Sequence, residues 1–497
     1  MILRLVYWYI LIVLLGWLSF PLIYRLFNKL PDRGYSASRI LGLLLWGFGF
    51  WLLTSLGVLQ NQPGGILLAL GILLACSIWA GWGRWGEIWQ WVQDHRRLIV
   101  MTEIVFLAGF AFMTLVRASD PDATGTEKPM ELALIKAHIN SETFPPHDPW
   151  LSGYAISYYH FGYILAGMMA KLTATSGGVA FNLALASVFG MSAAGAYGVL
   201  YNLLSVFGSS VKRSIDSLSW ALFGPLFLLF VSNLEAILEV LHQRGIGWDL
   251  ENGTSSFWAW INIDSLRTPP TRPLTLLPQR FWWWWQASRV IHDIDLQGNI
   301  SGLSPIDEFP AFSFVLGDLH PHVLVMPFVM LLVTLALNIF LGGMENRQRV
   351  LGIKWPFRPD LFIISAITLG GITFLNTWDL PVYFSLLVGA YLLHRVLLKG
   401  WDWHRLSELL TLAVPLGIAS LVLYTPFLIS FQSQAGGILP NLVYPTRGLY
   451  LWLMFDPLFI PIFLFFGWLW RKRYAAEWSR GLTLVLGLVL LLYAFSL

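Results

Sequence analysis

The sequence predicts an all-α protein, a polytopic transmembrane helical bundle of about 12–14 spans with amphipathic helices in its outer loops. Of its 497 residues, 56% are hydrophobic and only 12% are charged, whereas a soluble chain carries about 25% charged residues. Thirteen apolar runs follow one another along the chain, most of them close to the roughly 20 residues that a span needs. The net charge of +3 is too small to indicate a nucleic-acid partner.

The apolar runs begin almost at the N-terminus. In chain order they are residues 5–23, 40–59, 66–82, 98–116, 154–170, 181–207, 220–241, 323–341, 361–375, 382–398, 409–429, 450–468 and 482–497. The first run is too long for the core of a signal peptide, so we interpret it as a retained span. The one cysteine, Cys76, lies inside an apolar run and excludes a disulfide within the chain.

Basic residues predict the orientation of the chain, since cytoplasmic loops are enriched in lysine and arginine. Five loops are basic, and they contain Arg25, Lys29, Arg33 and Arg39; Arg84, Arg96 and Arg97; Arg347, Arg349, Lys354 and Arg358; Arg395, Lys399 and Arg405; and Arg471, Lys472 and Arg473. This places residues 117–153, 318–322, 377–381 and 432–447 outside. We expect an integral protein of the plasma (inner) membrane whose active face is extracytoplasmic.

Three segments are predicted. Residues 1–97 form an N-terminal three-span segment, residues 98–430 a core module with large outer loops at 117–153 and 242–322, and residues 431–497 the C-terminal spans. The last run stops at Leu497 without a polar flank, so the chain either is a piece of a longer protein or ends on its last helix. Three apolar runs lie between residues 154 and 241. Their number must be even, because the loops before and after them are both predicted to be outside. Gly190 and Gly195 suggest a broken hairpin at 181–207.

A cluster of titratable residues precedes the run at 323–341. It contains Asp307, Glu308, Asp318, His320 and His322. Such groups are costly at membrane depth, which makes the cluster a candidate functional site. The alternative is structural: Asp318 caps the helix, the histidines bind loop carbonyls, and Pro321 occupies the first turn.

The first outer loop is rich in acids and histidines. These residues are Asp120, Asp122, Glu127, Glu131, His138, His147 and Asp148. Between residues 127 and 140 the apolar positions follow helical spacing, and they are Met130, Ala133, Leu134 and Ala137. Glu127, Glu131 and His138 fall on the opposite side, which predicts an amphipathic helix along the membrane surface. A solvated loop with scattered charges is the alternative.

The long segment at 242–310 is not predicted to span. It contains the run Phe281-Trp282-Trp283-Trp284-Trp285, which suits a membrane interface or a platform for a sugar ring or lipid. Arg289, four residues after Trp285, would lie near that residue if the segment is helical, and its guanidinium could bind phosphate.

Several motifs resemble a known family. They are Gly125-Thr126-Glu127-Lys128-Pro129-Met130-Glu131, Pro146-His147-Asp148-Pro149-Trp150, Tyr158-Tyr159-His160-Phe161-Gly162, Glu308-Phe309-Pro310, Gly317-Asp318-Leu319-His320-Pro321-His322 and Asn376-Thr377-Trp378-Asp379. Together they resemble the Chlor-Arch-YYY membrane family, a domain-of-unknown-function family without an assigned activity. His160 stands where that family has its third tyrosine. The resemblance covers residues 98 to 427.

The family's arrangement is distantly similar to that of C-type glycosyltransferases such as the protein mannosyltransferases. The resemblance implies inverting transfer of a sugar from a polyprenyl-phosphate to an extracytoplasmic acceptor. Thr126-Glu127 matches the acidic pair of those enzymes, with threonine in place of the first acid, so Glu127, Asp122 or Asp120 is the candidate base. The candidate substrate-binding residues are Glu131, His147, Asp148, Tyr158, Tyr159, His160, Arg289, Glu308, Asp318, His320, His322, Asn376, Trp378 and Asp379.

No cofactor is expected, although Asp318, His320 and His322 could hold a divalent metal with Asp307 or Glu308. The expected partners are membrane lipid and a polyprenyl-phosphate sugar. Two other classes of function stay open, a scaffold or binding protein and a transporter. The apolar runs carry few central charges, and the acids gather at one face, which favours surface chemistry over a path through the membrane.

Overall fold

The computed structural model describes residues 2–208, 216–280, 282–295, 297, 299, 305–345, 349–350, 353–354, 356–432, 444, 446–472, 481–483 and 485–490. The chain divides into two compact units. The first unit comprises Met1–Leu229 and Phe314–Gln432, and the second comprises Phe230–Ser313 and Ser433–Leu497.

Helices form nearly all of the regular structure. In chain order they are α1 Ile2–Leu26, α2 Ser38–Ser55, α3 Pro63–Gly81, α4 Trp85–Asp94, α5 Arg96–Ser119, α6 Lys128–Asn140, α7 Phe161–Leu172, α8 Gly177–Gly208, α9 Ser217–Trp220, α10 Phe223–Leu229, α11 Glu235–Gln243, α12 Ser256–Ile261, α13 Pro310–Leu316, α14 Pro321–Leu324, α15 Met326–Phe340, α16 Pro359–Leu375, α17 Leu380–Lys399, α18 His404–Val422, α19 Thr425–Ser430 and α20 Gly448–Arg471. Two-residue strands at Arg349–Val350 and Ile353–Lys354 pair antiparallel.

The predicted fold class is confirmed. Among the described residues, eight helices are long and apolar enough to cross a membrane, and five further apolar helices have 10–17 residues. The segment at 242–310 contains only short helices in its described part, as predicted. The predicted run at 482–497 lies partly outside the described residues. The predicted division at residues 97 and 430 stays a prediction.

The first unit has two chemically different ends. We call the end that contains Glu127, Glu131 and Asp318 the acidic end, and the end that contains Arg25 and Arg358 the basic end. At the basic end, the Arg358 guanidinium donates a hydrogen bond to the carbonyl of Arg25 at 3.2 Å. This bond joins the end of α1 to the start of α16.

The helix α7 is not a span, which corrects the predicted run at 154–170. It has 12 residues and is therefore about 18 Å long, too short for a hydrocarbon core of roughly 30 Å. Its first turn lies beside α6, where the rings of His160 and His138 stack at 5.3 Å. At its other end Lys171 donates to the carbonyl of Asn61, and Asn61 Nδ2 donates to the carbonyl of His138 at 2.6 Å. Both ends of α7 thus lie against α6 at the acidic end.

The expected hairpin at 181–207 is wrong, because α8 is one continuous helix of 32 residues. Two of its glycines, Gly190 and Gly195, let neighbouring helices pack closely against α8. A Cβ atom at Gly195 would lie 2.6 Å from Met330 Cβ on α15, and one at Gly190 would lie 3.1 Å from the Phe106 ring on α5. Small residues at such contacts let helices approach closely.

Two other predicted runs are interrupted. The run at 323–341 is split at Val325 between α14 and α15, because Pro327 lacks an N–H and its ring clashes with the preceding turn. The run at 220–241 is also wrong as one span, since α10 ends at Leu229 and α11 begins at Glu235. Asn233 lies before α11, and its Oδ1 accepts a hydrogen bond from the Glu235 N–H at 3.2 Å.

In the second unit, α20 packs against the segment that contains α11 and α12. The hydroxyl of Tyr450 donates to the carbonyl of Asn262 at 3.1 Å, and the N–H of Leu234 donates to the carbonyl of Leu453 at 3.0 Å. Glu239 forms an ion pair with Arg280. The described part of residues 433–497 is therefore bound to the loop segment by backbone as well as side-chain contacts.

The substitution Gly195→Leu should lower the thermal stability of the detergent-solubilised protein. The new side chain has to enter the contact with Met330, and overpacking typically costs about 1–3 kcal/mol. Gly178→Leu, on the same helix but with open space at its Cβ position, is the matched control. Equal melting temperatures for the two variants would contradict the close packing of α8 and α15.

Candidate functional site

Two distant segments of the first unit meet at the acidic end through a carboxylate and two imidazoles. Glu127 Oε2 lies 2.7 Å from His320 Nε2, and His320 Nδ1 lies 2.9 Å from His322 Nδ1. The Glu127 side chain is 55% exposed and that of His320 is 31% exposed, so the pair is accessible from outside the bundle. We call Glu127, Glu131, Asp318, His320 and His322 the Glu–His cluster.

Two further hydrogen bonds hold the same segments together. The hydroxyl of Thr126 donates to Asp318 Oδ1 at 2.7 Å, and the N–H of Leu319 donates to Glu131 Oε2 at 2.7 Å. Thr126 has a φ of +50°, a conformation that a β-branched residue rarely adopts. The bond to Asp318 therefore supports a strained residue directly before Glu127.

Asp318 is not the N-cap of the following helix, which corrects the structural alternative. His320 occupies the N-cap position of α14, and Pro321 lies in the first turn as predicted. Asp318 is buried and accepts the hydrogen bond from Thr126 instead. Its carboxylate thereby links the two segments of the cluster.

Arg117 supports the loop that leads to Glu127. It lies in the last turn of α5, is 3% exposed, and donates to Asn182 Oδ1 at 2.7 Å and to the carbonyl of Asp122 at 3.0 Å. Gly317 has a φ of +79°, and a Cβ atom there would collide with the Arg117 guanidinium. Glycine is therefore required where the chain passes Arg117 on its way to Asp318.

Glu131 is the buried member of the Glu–His cluster. It is 0% exposed, and its Oε1 has no hydrogen-bond partner among the described residues. Burial, followed by the neighbouring Asp318 and Glu127 carboxylates, raises the pKa of Glu131 well above its ordinary value, while the bond from the Leu319 N–H opposes that shift. The side chain is therefore a fixed structural element of the cluster.

The predicted helix is present as α6, but its buried face differs from the predicted one: Leu134 is buried as expected, and so are Glu131 and His138 of the predicted polar side. Its buried residues are Lys128, Glu131, Leu134, Ile135 and His138, whereas Met130, Ala133 and Ala137 are only partly buried. The face that carries Glu131 and His138 packs against the rest of the first unit, because Glu131 accepts a hydrogen bond from the Leu319 N–H there. Counting apolar positions alone could not predict this.

The tyrosines of the motif at 158–162 line one side of the Glu–His cluster. Tyr158 interacts electrostatically with Glu127 and Glu131, and burial is the main cause that raises its pKa. The Tyr158 and Tyr159 rings lie 5.1 Å apart, and Tyr159 packs on Phe431 at 5.3 Å. His160 is 3% exposed, and its Nδ1–H donates to the carbonyl of Tyr158 at 2.8 Å, so it belongs to the packed interior.

The motif at 376–379 reaches the same cluster. Asp379 interacts electrostatically with His322, and Asn376 Nδ2 donates to Asp379 Oδ2 at 3.2 Å. Trp378 is 48% exposed and shares a side-chain hydrogen bond with Tyr159. The structure thus brings Trp378 and Asp379 together with Tyr159 and His322.

Four other candidates of that loop lie apart from the bond between Glu127 and His320. Asp120 and Asp122 are exposed, and both interact electrostatically with Arg117. Asp148 Oδ1 accepts hydrogen bonds from the N–H groups of Trp150 and Leu151, which closes a local turn. His147 is exposed in a bridge with Ala155. Glu127 is therefore the best-placed candidate base.

Two candidates belong to the second unit. The Arg289 guanidinium lies 4.4 Å from the centre of the Trp285 ring, as predicted, at the end of the 3₁₀ helix Trp283–Ser288. Arg289 interacts electrostatically with Asp307 and Glu308, and Glu308 Oε2 accepts a hydrogen bond from Ser313 at 2.9 Å. These residues form a separate local group of aromatic, basic and acidic side chains.

Within the described residues, no group of three or more histidine, cysteine, aspartate or glutamate side chains is arranged to hold a metal ion. His320 and His322 direct Nδ1 atoms at each other across 2.9 Å. This geometry is that of a hydrogen bond between two rings.

Sequence reasoning missed two supporting residues of the cluster. Arg117 entered the sequence analysis only as the first residue of the outer loop. A single arginine at the end of an apolar run, followed by Asp120 and Asp122, could have indicated a supporting role. Tyr163, whose hydroxyl donates to the carbonyl of Leu319 at 3.2 Å, gave no signal because its contact lies 156 residues away. Both residues position the segment that carries His320.

Glu131→Gln should change how stability depends on pH. Because the folded-state pKa of Glu131 is raised, its stabilising contribution is complete below the ordinary carboxyl pKa and is lost as pH rises through the folded value. The wild type should therefore lose stability relative to Glu131→Gln as pH rises, in thermal melts of the solubilised protein. Glu131→Ala, which removes the acceptor for the Leu319 N–H, should cost about 1–3 kcal/mol at any pH.

Glu251→Gln is the control for this experiment, because Glu251 is exposed in the second unit. It should leave the pH dependence of the melting temperature as in the wild type. An unchanged pH dependence in Glu131→Gln would show that the buried carboxyl does not have the raised pKa.

Comparison with known proteins identifies a family without an assigned activity. Searches of curated proteins and of solved structures found no match. A family model described as "Uncharacterized membrane protein (DUF2298)" matches residues 45–497, which is most of the chain. The chain therefore belongs to this family of uncharacterized membrane proteins.

Proposed function

We propose that the protein is a membrane glycosyltransferase that moves a sugar from a polyprenyl-phosphate to an acceptor hydroxyl, with inversion, at the extracytoplasmic face of the plasma membrane. The observation that carries the proposal is the 2.7 Å contact between Glu127 Oε2 and His320 Nε2. An accessible carboxylate held by an imidazole is suited to act as a general base. The partners are the lipid-linked sugar and its acceptor.

With Glu127 ionised and His320 neutral, the two hydrogen bonds require one pair of histidine tautomers. Glu127 as a carboxylate only accepts, so His320 Nε2 carries a proton and donates it to Oε2. In neutral His320, Nδ1 is then an acceptor, and His322 Nδ1 is the donor across 2.9 Å. The resulting chain from His322 through His320 fixes the direction of the Glu127 carboxylate, which favours catalysis by orienting the base.

In the proposed step the acceptor oxygen attacks the anomeric carbon of the donor sugar. The bond from that carbon to the phosphate oxygen breaks, and its electron pair leaves with the polyprenyl-phosphate. Glu127 takes the hydroxyl proton from the acceptor. A single displacement of this kind inverts the anomeric centre, and neither an oxidant nor a reductant is required.

Aromatic residues beside the base support a sugar substrate. Trp378 is half-exposed and shares a hydrogen bond with Tyr159. Tyr158, the neighbour of Tyr159, interacts electrostatically with Glu127 and Glu131 of the Glu–His cluster. Such rings present apolar faces with polar edges, the combination that a sugar ring contacts well. Asp318 and Glu131 hold the loop that positions the base and need not touch the substrate.

Glu127→Gln should abolish most sugar transfer in membranes supplied with labelled polyprenyl-phosphate sugar. The amide cannot accept the acceptor's proton, and general-base catalysis contributes typically about 10²–10⁴-fold. The exposed Glu142→Gln, in the same outer loop, is the control and should retain wild-type transfer. Undiminished transfer by Glu127→Gln would remove this residue as the base.

A double substitution tests whether Glu127 and His320 act as one unit. The variant Glu127→Gln with His320→Ala should transfer sugar no more slowly than Glu127→Gln alone, since residues that act together lose activity non-additively. His320→Gln, whose amide can still donate to the carboxylate, should keep more activity than His320→Ala. Multiplicative losses in the double variant would mean that the two side chains act independently.

A further inference from the structure

The basic end of the first unit contains a cavity of about 1130 Å³. Its walls come from α1, α2, α3 and α16, and they are mainly apolar, with Leu45, Phe48, Leu73 and Ile367 among the lining residues. The volume exceeds the roughly 300–1,000 Å³ of common small-molecule sites. None of the residues of the Glu–His cluster lines it.

Positive charge lies at the rim of the cavity. Arg25, Lys29, Arg84 and Arg358 line it together with the acids Glu345 and Asp360. Asp360 pairs with Arg358 at 2.8 Å and with Arg25 at 3.9 Å. In the described part of the chain no ion pair joins Lys29 or Arg84 to an acid. Among the described residues, the rim therefore has two cations, Lys29 and Arg84, without an ion-paired acid.

The cavity opens towards the apolar surface of the bundle. The lining residues Ile72 and Trp79 of α3 are 46% and 61% exposed, and Ile363 of α16 is 53% exposed. Both helices are long or apolar enough to belong to the membrane region. Trp79 also stacks under Arg25, whose guanidinium lies 4.5 Å from the ring centre. Hydrocarbon chains can thus enter sideways while a polar group stays at the rim.

We propose that this cavity binds an anionic phospholipid, with its phosphate near Lys29 and Arg84 and an acyl chain along the wall formed by α2 and α3. Charge complementarity selects the head group, because basic pockets between membrane helices attract anionic lipids. The depth and apolar lining of the cavity select a molecule with hydrocarbon chains over a free phosphate. The site is separate from the proposed transferase chemistry and does not depend on it.

Cys76 provides the readout, because it lines the cavity, is exposed, and is the one cysteine in the sequence. The full-length protein in detergent is treated with N-ethylmaleimide in the presence of dioleoyl-phosphatidylglycerol. Occupied cavities protect the thiol, so at ten times the dissociation constant the alkylation should be about tenfold slower. Dioleoyl-phosphatidylcholine and glycerol phosphate should protect far less.

Matched variants locate the binding. Lys29→Gln with Arg84→Gln should weaken protection by about fivefold for each cation removed, whereas Arg96→Gln with Arg97→Gln, an equal change of charge outside the cavity, should not. Gly49→Leu directs a side chain into open space at the cavity wall, and Gly389→Leu does the same on α17 away from it. Only Gly49→Leu should prevent protection by the lipid.

Three results would overturn the proposal. Equal protection by phosphatidylcholine or by glycerol phosphate would reject an anionic lipid with chains. An equal loss in the Arg96 and Arg97 variant would assign the effect to general surface charge. Full protection in Gly49→Leu would place the lipid outside the cavity.

Discussion

The first unit depends on a hydrogen bond between segments that are far apart in the sequence. Glu131, fully buried on α6, accepts from the N–H of Leu319, and the two residues are 188 positions apart. A buried backbone N–H without an acceptor is costly, and so is a buried carboxylate without a donor. Each group therefore requires the other, and their bond sets the positions of Asp318 and His320 on one side and of Thr126 and Glu127 on the other.

The chemistry of the first unit is divided between its ends. Carboxylates and imidazoles gather at the acidic end, where short hydrogen bonds hold them in fixed directions. At the basic end, arginines bind carbonyls and a carboxylate around the start of α16, and the cavity beside them is wide and apolar. A tightly bonded polar cluster suits chemistry on a reacting group, whereas a wide apolar cavity with a charged rim suits retention of an amphiphile.

Much of this organisation could be predicted from the sequence. Composition predicted the membrane fold, loop charges and motifs predicted that Glu127 and His320 share one face, and spacing predicted that Arg289 lies near Trp285. The buried face of α6 could not be predicted, because its orientation follows a bond from Glu131 to a distant backbone N–H. Likewise the run at 154–170 is apolar enough for a span, and only the structure shows that its helix α7 has 12 residues and contacts Asn61 and His138. Gly195 suggested a break, but the partner that requires a small residue is Met330, on another helix.

The continuity of α8 has a mechanical consequence. Near its beginning Asn182 holds Arg117, which supports the loop before Glu127, and near its other end Asn202 Oδ1 accepts from the N–H of Asp32, in the turn between α1 and α2. About 30 Å of unbroken helix separates these two contacts. A shift of this rod along its axis would move both loops at once, so the geometry on one side of the bilayer is tied to that on the other.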